Sequence, residues 1–316
     1  MPYQPAVIDM AAQTIIWLLI GLIGIADIIA LFAQGLSVDF ELEWQAIALI
    51  AILLAASRLC RLRSPQAARF TTALAQIFAF GNAGTVFTYV LTAASPFPLA
   101  DPWFEQADIA LGFHWLAWFN WVNHHPAVQI ILGLAYNSMA PQAVVLVMIL
   151  SYINVKRVDE FLTAGILAII ITFPIMYLLP SIGAFAPHGI DAGVQWQADI
   201  LTLRSHSTST IRPLAGIVTF PSYHTALGVL YINMARERKW LFYPLLPLNV
   251  LLAISVMSQG GHYLVDMLSG AVLALVSLAI ARLLLSADRR AMLPRRESRK
   301  CRTRATLPDP VGQDAG

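Results

Sequence analysis

FLTAGILAIIITFPIMYLLP, residues 161–180, runs without a single Asp, Glu, Lys or Arg. A helix crosses the hydrocarbon of a bilayer with roughly 20 mostly apolar residues, so this stretch reads as the body of a membrane span near 160–180. Reading outward from it, similar stretches lie near 14–34, 43–60, 70–94, 128–152, 222–236, 241–259 and 262–285. The fold class expected is all-α, a polytopic membrane helix bundle of about eight spans. The span at 222–236 is short, and its start is set by Pro221-Ser222. Trp103 to Trp121 is aromatic and only moderately apolar, the pattern of a segment lying along the interface. No internal repeat is visible.

Composition agrees with a lipid-facing chain. Of the 316 residues 58% are apolar and 12% charged, with a mean hydropathy of +0.67. Soluble domains carry about 25% charged residues, so too few polar groups remain here to coat a water-facing globule. The expected organisation is a membrane-embedded helical domain over 1–286 and a basic, disordered cytoplasmic tail over 287–316. The start lacks the basic region and cleavage site of a signal peptide, so the segment from Ile15 reads as a retained span. Cys60 and Cys301 both fall in segments assigned to the cytoplasm, which argues against a disulfide framework.

Charge sets the orientation. Arg58, Arg61, Arg63, Arg69, Lys156, Arg157, Arg236, Arg238, Lys239, Arg282 and the tail fall on one side of an eight-span arrangement. They hold all but two of the 20 Lys and Arg residues. By the positive-inside rule that side is cytoplasmic, and both termini lie there. The remaining two, Arg204 and Arg212, sit outside, just before Phe220-Pro221-Ser222-Tyr223-His224. All 7 histidines (114, 124, 125, 188, 206, 224 and 262) also fall on that non-cytoplasmic side or at the outer ends of spans. The expected location is a bacterial inner membrane or its equivalent.

Two motifs carry the chemistry. In Gly260-Gly261-His262-Tyr263-Leu264-Val265-Asp266, His and Asp stand at i and i+4, on one helix face. An unpaired carboxylate one turn inside an apolar segment is expensive. Bonded to Nδ1–H of His262, Asp266 would fix the tautomer and leave Nε2 as nucleophile or base. In Phe220-Pro221-Ser222-Tyr223-His224-Thr225, Ser222 reads as an N-cap, and the free N–H groups of a helix start attract anions. Each motif alone has a bland alternative: a structural His–Asp pair, and an ordinary cap followed by an interfacial histidine. No acidic cluster suited to Mg²⁺ and no zinc-ligand spacing accompanies them, so neither metal nor cofactor is expected. Two further classes stay open: a bis-histidine haem protein, and a transporter whose His–Asp pair relays protons.

FPSYHT and GGHYLVDMLSG resemble the second and third signature motifs of the type 2 phosphatidic acid phosphatase superfamily. Within it, the chain is most similar to the branch holding inositol phosphorylceramide synthases and their bacterial relatives. The motifs cover 200–275, with a looser likeness from Asp101 to Gln142. The resemblance implies a six-helix phosphatase-like core preceded by extra N-terminal spans. It implies His262 as the nucleophile that becomes phosphohistidine, Asp266 as its orienting partner and His224 as the acid that protonates the leaving oxygen. Ser222, Tyr223 and nearby N–H groups, with Arg204 and Arg212, would hold phosphate, Arg204 being favoured for the apolar run before it. Tyr136 and Gln142 would line the substrate cavity, or simply bond helix to helix. The superfamily's third motif often carries arginine where Val256 stands, and Ser205 takes the place of its first-motif lysine. The implied activity is metal-independent phosphoryl transfer on a lipid phosphate or phosphodiester, by a lipid phosphatase (hydrolase) or a headgroup phosphotransferase (transferase). The implied partners are a lipid phosphate or phospholipid in the bilayer and a polyol acceptor such as inositol, with no nucleic acid.

Overall fold

A computed structural model describes residues 10–190, 195–213 and 215–292. Among them the chain forms twelve α-helices and one two-residue ladder. The N-terminal part is α1 (Met10–Gln34), β1 (Ser37–Val38), α2 (Phe40–Arg61) and α3 (Pro65–Ala94). Short helices follow: α4 (Asp101–Ala110), α5 (Trp115–Asn123), α6 (Pro126–Asn137) and α7 (Met139–Ile153). The rest comprises α8 (Val155–Leu178), α9 (Gln195–Arg204), β2 (Thr210–Ile211), α10 (Tyr223–Ala235), α11 (Lys239–Gln259) and α12 (Leu264–Met292).

The all-α membrane bundle expected from hydropathy is what the chain forms, with a correction to the number of spans. Among the described residues six helices are long and apolar enough to cross a bilayer, and seven if the bent pair α6–α7 counts as one span. The stretch expected as a span over 222–236 is α10, with 13 residues. At about 1.5 Å per residue it covers roughly 20 Å, short of a hydrocarbon core near 30 Å. The stretch expected as one span over 128–152 bends by 46° between α6 and α7. There the Ser138 hydroxyl donates to the Ala135 carbonyl at 2.6 Å and the Asn137 amide to that of Gly133 at 2.8 Å. Both side chains draw on carbonyls of the helical ladder, which favours a break. Helix α12 continues through 287–292, and 293–316, with Cys301 and most of the expected tail, lie outside the described residues.

Helix α8, the stretch first read as a span, is the axis of the bundle. Val158, Leu162, Ile166 and Ile169 are buried against α1, α3, α7, α10 and α12, within a core that includes Leu146, Leu230, Tyr231 and Leu278. Helices α1 and α2 lie at the periphery, with Leu22, Ile28, Phe32 and Ile52 exposed for lipid. The ladder is parallel and pairs Ser37 with Thr210 and Val38 with Ile211, tying the α1–α2 turn to the loop that leads into α10. The Trp103–Trp121 segment forms α4 and α5, neither long enough to span. They present Trp103, Ile109, Leu111 and Trp121 outward and bury Asp101, Phe104, Asp108 and Trp115. Phe104 and Trp115 meet Ala184, Phe185 and Tyr263 in a small separate core. That core supports the turn from α11 into α12.

Candidate active site

Three helix ends converge: the starts of α10 and α12 and the end of α11. Ser222 is extended (φ −64°, ψ 107°), and its hydroxyl accepts from the Thr225 N–H, which starts α10 at Tyr223. The Ser222 N–H donates to the Asp266 carbonyl at 3.0 Å, binding the first turn of α10 to that of α12. A Cβ on Gly270 would lie 2.3 Å from the Ser222 carbonyl oxygen. Only glycine permits that approach.

The turn that carries His262 is fixed on every side. The N–H groups of Gly260 and His262 both donate to the Val256 carbonyl, at 3.0 and 3.2 Å. Gly261 takes φ +62°, and a Cβ there would lie 2.4 Å from the Phe185 ring. Its carbonyl accepts from Ala184 N–H at 2.7 Å, and the His262 carbonyl accepts from Trp115 Nε1 at 3.0 Å. Asp266 is fully buried. Its Oδ2 lies 3.3 Å from His262 Nδ1 and accepts from the Tyr263 N–H at 2.9 Å. One carboxylate oxygen thus orients both the ring and the backbone beside it. Burial pushes the His262 pKa down to about 4, opposed by a backbone hydrogen bond to Thr219, so the ring is neutral near pH 7.

His224 meets His262 edge to face, with ring centroids 6.1 Å apart and planes at 63°. Tyr136, on α6, stacks on the His224 ring at 4.8 Å and 16°. A Cβ on Gly260 would be 3.2 Å from the Tyr136 hydroxyl and 3.0 Å from His262 Cδ2. The structure therefore brings His224, His262, Asp266 and Tyr136 together.

The other sequence-predicted residues lie elsewhere or face elsewhere. Tyr223 turns into the bundle, where its hydroxyl donates to the Gly165 carbonyl at 3.1 Å. The Ser222 hydroxyl is engaged with Thr225 and is fully buried. Gln142 accepts from the Asn249 amide at 2.8 Å and so bonds α7 to α11, the helix-to-helix alternative for this residue. Arg204 donates to the carbonyls of Ser95 and Phe97. Arg212 pairs with Asp39 at 3.1 Å, next to the β1–β2 ladder. Among the described residues no Lys or Arg bonds to either imidazole, and no three His, Cys, Asp or Glu side chains gather as a metal site. Val256, where related motifs often place arginine, is wholly buried.

Sequence reasoning missed Asp101, Asp108 and Trp115, all of which grip this turn or its neighbour. Asp108 accepts from the Leu264 and Val265 N–H groups at 2.8 and 2.9 Å. Asp101 accepts from Gly183 N–H at 2.8 Å and Ile182 N–H at 3.1 Å. The available signal was two acids seven residues apart, on one face of an aromatic helix with no basic residue near.

The two helix starts at the site differ in consequence. At α12 the first N–H groups are already satisfied by Asp108. At α10 Ser222 satisfies only Thr225, and nothing among the described residues accepts from the Tyr223 and His224 N–H groups. An anion arriving at the histidines meets open donors at α10 and a carboxylate-closed end at α12.

In comparison with known proteins, the PAP2 superfamily matches residues 102–280. That is more than half of the chain, and the chain belongs to this superfamily. No curated protein and no solved structure gave a match. Membership implies phosphatase or phosphotransferase chemistry on phosphate esters.

Proposed function

We propose that this member of the PAP2 superfamily transfers a phosphoryl group from a membrane lipid phosphate or phosphodiester to His262, and from there to water or an alcohol. The observation that carries the reading is the His224–His262 contact at 6.1 Å, with one ring backed by Asp266 and the other at an open helix start. Neutral His262 attacks phosphorus as the leaving oxygen takes a proton from His224, which is protonated once the phosphate anion is bound beside it. Asp266 stabilises the positive charge that forms on the His262 ring. His224 then removes the proton from the acceptor, and phosphohistidine is discharged. The Tyr223 and His224 N–H groups, aided by the positive end of α10, stabilise charge on the phosphoryl oxygens without a metal ion.

An arginine could join this site only by leaving its present partners. Arg212 is supported over Arg204: its side chain is 60% exposed and held by one carboxylate, whereas Arg204 is fixed by two carbonyls. Val256 in place of the usual arginine supports a headgroup transferase over a plain phosphatase, with a polyol such as inositol as acceptor. The site faces the non-cytoplasmic side. What supports this is the set of arginines at the far ends of α10 and α12, Arg236 and Arg282, beside Arg157 at the start of α8. Family membership favours this chemistry over a haem protein or a proton-relaying transporter.

The test is to incubate purified protein with a panel of phospholipids in EDTA, with and without inositol or glycerol. Phosphate release or headgroup exchange that disappears in His262→Ala is the expected result. Strict dependence on added divalent metal overturns the mechanism.

A further inference from the structure

Helix α12 begins at Leu264, directly after the residues that form the catalytic turn. A helix start normally takes its cap from the residue just before it, most often Ser, Thr, Asp or Asn. Here that position is Tyr263, whose side chain supplies no cap to the first turn, and His262 before it holds its ring for chemistry. Asp108 fills the vacancy from 156 residues away, with Oδ2 accepting from Leu264 N–H and Oδ1 from Val265 N–H. Its side chain is buried, and its contacts in the described structure are N–H groups, not cations. Burial raises its pKa, while the two N–H hydrogen bonds pull it down. An acid held in this way is costly for packing alone, since an apolar side chain would fill the space without desolvating a charge.

Asp101 repeats the pattern two helical turns earlier on α4. Its carboxylate accepts from the Ser181 hydroxyl and from the N–H groups of Ile182 and Gly183, and it reaches the Tyr263 hydroxyl at 3.4 Å. The 182–184 segment in turn abuts the catalytic turn through the Ala184–Gly261 hydrogen bond. A carboxylate suits both places because its two oxygens accept from two adjacent N–H groups, whereas an amide offers one oxygen and sets donors against donors.

We propose that Asp108 is a positioning residue for the reaction, which holds the first turn of α12 so that Asp266 meets His262, with Asp101 holding the facing loop in the same way. Helix α4 is thereby a brace for the nucleophile, built from an element that lies outside both signature motifs. The inference rests on the role of His262 proposed above.

The test uses the full chain in lipid nanodiscs and reads two quantities in Asp108→Asn. Backbone hydrogen exchange should quicken at Leu264 and Val265 and stay unchanged across α8. Turnover should fall by roughly 100-fold, the scale of a misplacement near 1 Å, with KM within about twofold because the brace does not touch substrate. Asp108→Glu, which keeps both acceptor oxygens, should recover part of the loss and also serves if the amide variant does not fold. Asp101→Asn should quicken exchange at Ile182 and Gly183 instead. Unchanged exchange at Leu264 and Val265 overturns the brace, as does quickened exchange with full turnover. If the wild-type protein moves no phosphoryl group, the functional reading fails on its own, and the exchange data still decide whether α4 holds the turn.

Discussion

Helices α10 and α12 each have one end among the histidines and the other among arginines, and the two ends treat charge in opposite ways. At the arginine end, Glu160 of α8 binds Arg157 at 2.6 Å, Arg236 at 3.6 Å and also Arg282. Arg157 reaches Glu237 as well, and Arg282 donates to Asn233 at 2.8 Å. Deeper in the bundle Arg69 pairs with Asp159 and donates to Gln76, while the Gln13 amide donates to Asp159. Cations there meet carboxylates. At the histidine end Asp101, Asp108 and Asp266 bond to N–H groups and to an imidazole. The first arrangement neutralises itself and holds helices together. The second fixes backbone and leaves two imidazole rings and an open helix start for a ligand.

The largest expected effect that separates the ends is His262→Ala. Turnover per folded molecule should fall by about 10³-fold or more, the scale on which a lost nucleophile acts, far beyond any loss of folded protein. Arg69→Met should do the reverse. Removing one partner of a buried pair costs about 3 kcal/mol or more, so chemical denaturation should show a large loss of stability. Activity per folded molecule should stay near wild type. A large fall in that specific activity would break the division between the ends.

Gly270→Ala tests whether the starts of α10 and α12 must touch. Its Cβ would lie 2.3 Å from the Ser222 carbonyl oxygen, and overpacking of this kind costs about 2 kcal/mol. Stability and turnover should therefore fall together, because the strained backbone is that of the site. Tyr136→Leu removes the face stacked on His224 and should lower turnover about fivefold, given about 1 kcal/mol for an aromatic pair. Tyr136→Phe keeps the stack and should stay within about twofold of wild type. The smallest effect belongs to Asp39→Asn, which keeps an acceptor for the Glu41 N–H at the start of α2 and weakens an exposed ion pair with Arg212 worth at most about 1 kcal/mol. Stability should barely move, and KM should fall if Arg212 is then freer to meet phosphate.

Much of the bundle was legible because a bilayer demands long apolar runs, and α8 or α11 satisfies that demand locally. The His262–Asp266 pair was legible from its spacing, but the two do not share a helix face as expected: His262 lies in the turn before α12, and Asp266 in the first turn of α12 reaches back to it. The bend after Asn137 was not, because it depends on which carbonyls the Asn137 and Ser138 side chains find. Arg212 looked like a phosphate ligand because its partner Asp39 arrives through a two-residue parallel ladder between distant segments. Asp108 was invisible for the same reason: its N–H partners lie across the fold, and no local spacing announces them. Tyr223 shows the limit within a motif, since the residue beside His224 turns to Gly165 instead. Residue type and spacing revealed the chemistry, whereas the groups that hold it in place come from contacts distant in sequence.

The most direct measurement is to rapidly quench the protein during turnover of a lipid labelled in its phosphate and to map any acid-labile, base-stable phosphoprotein adduct by peptide. The label should sit on the peptide carrying His262, form in EDTA, and be absent from His262→Ala. Label on His224 instead, or undiminished turnover in His262→Ala with no label anywhere, would contradict the assignment of His262 as nucleophile.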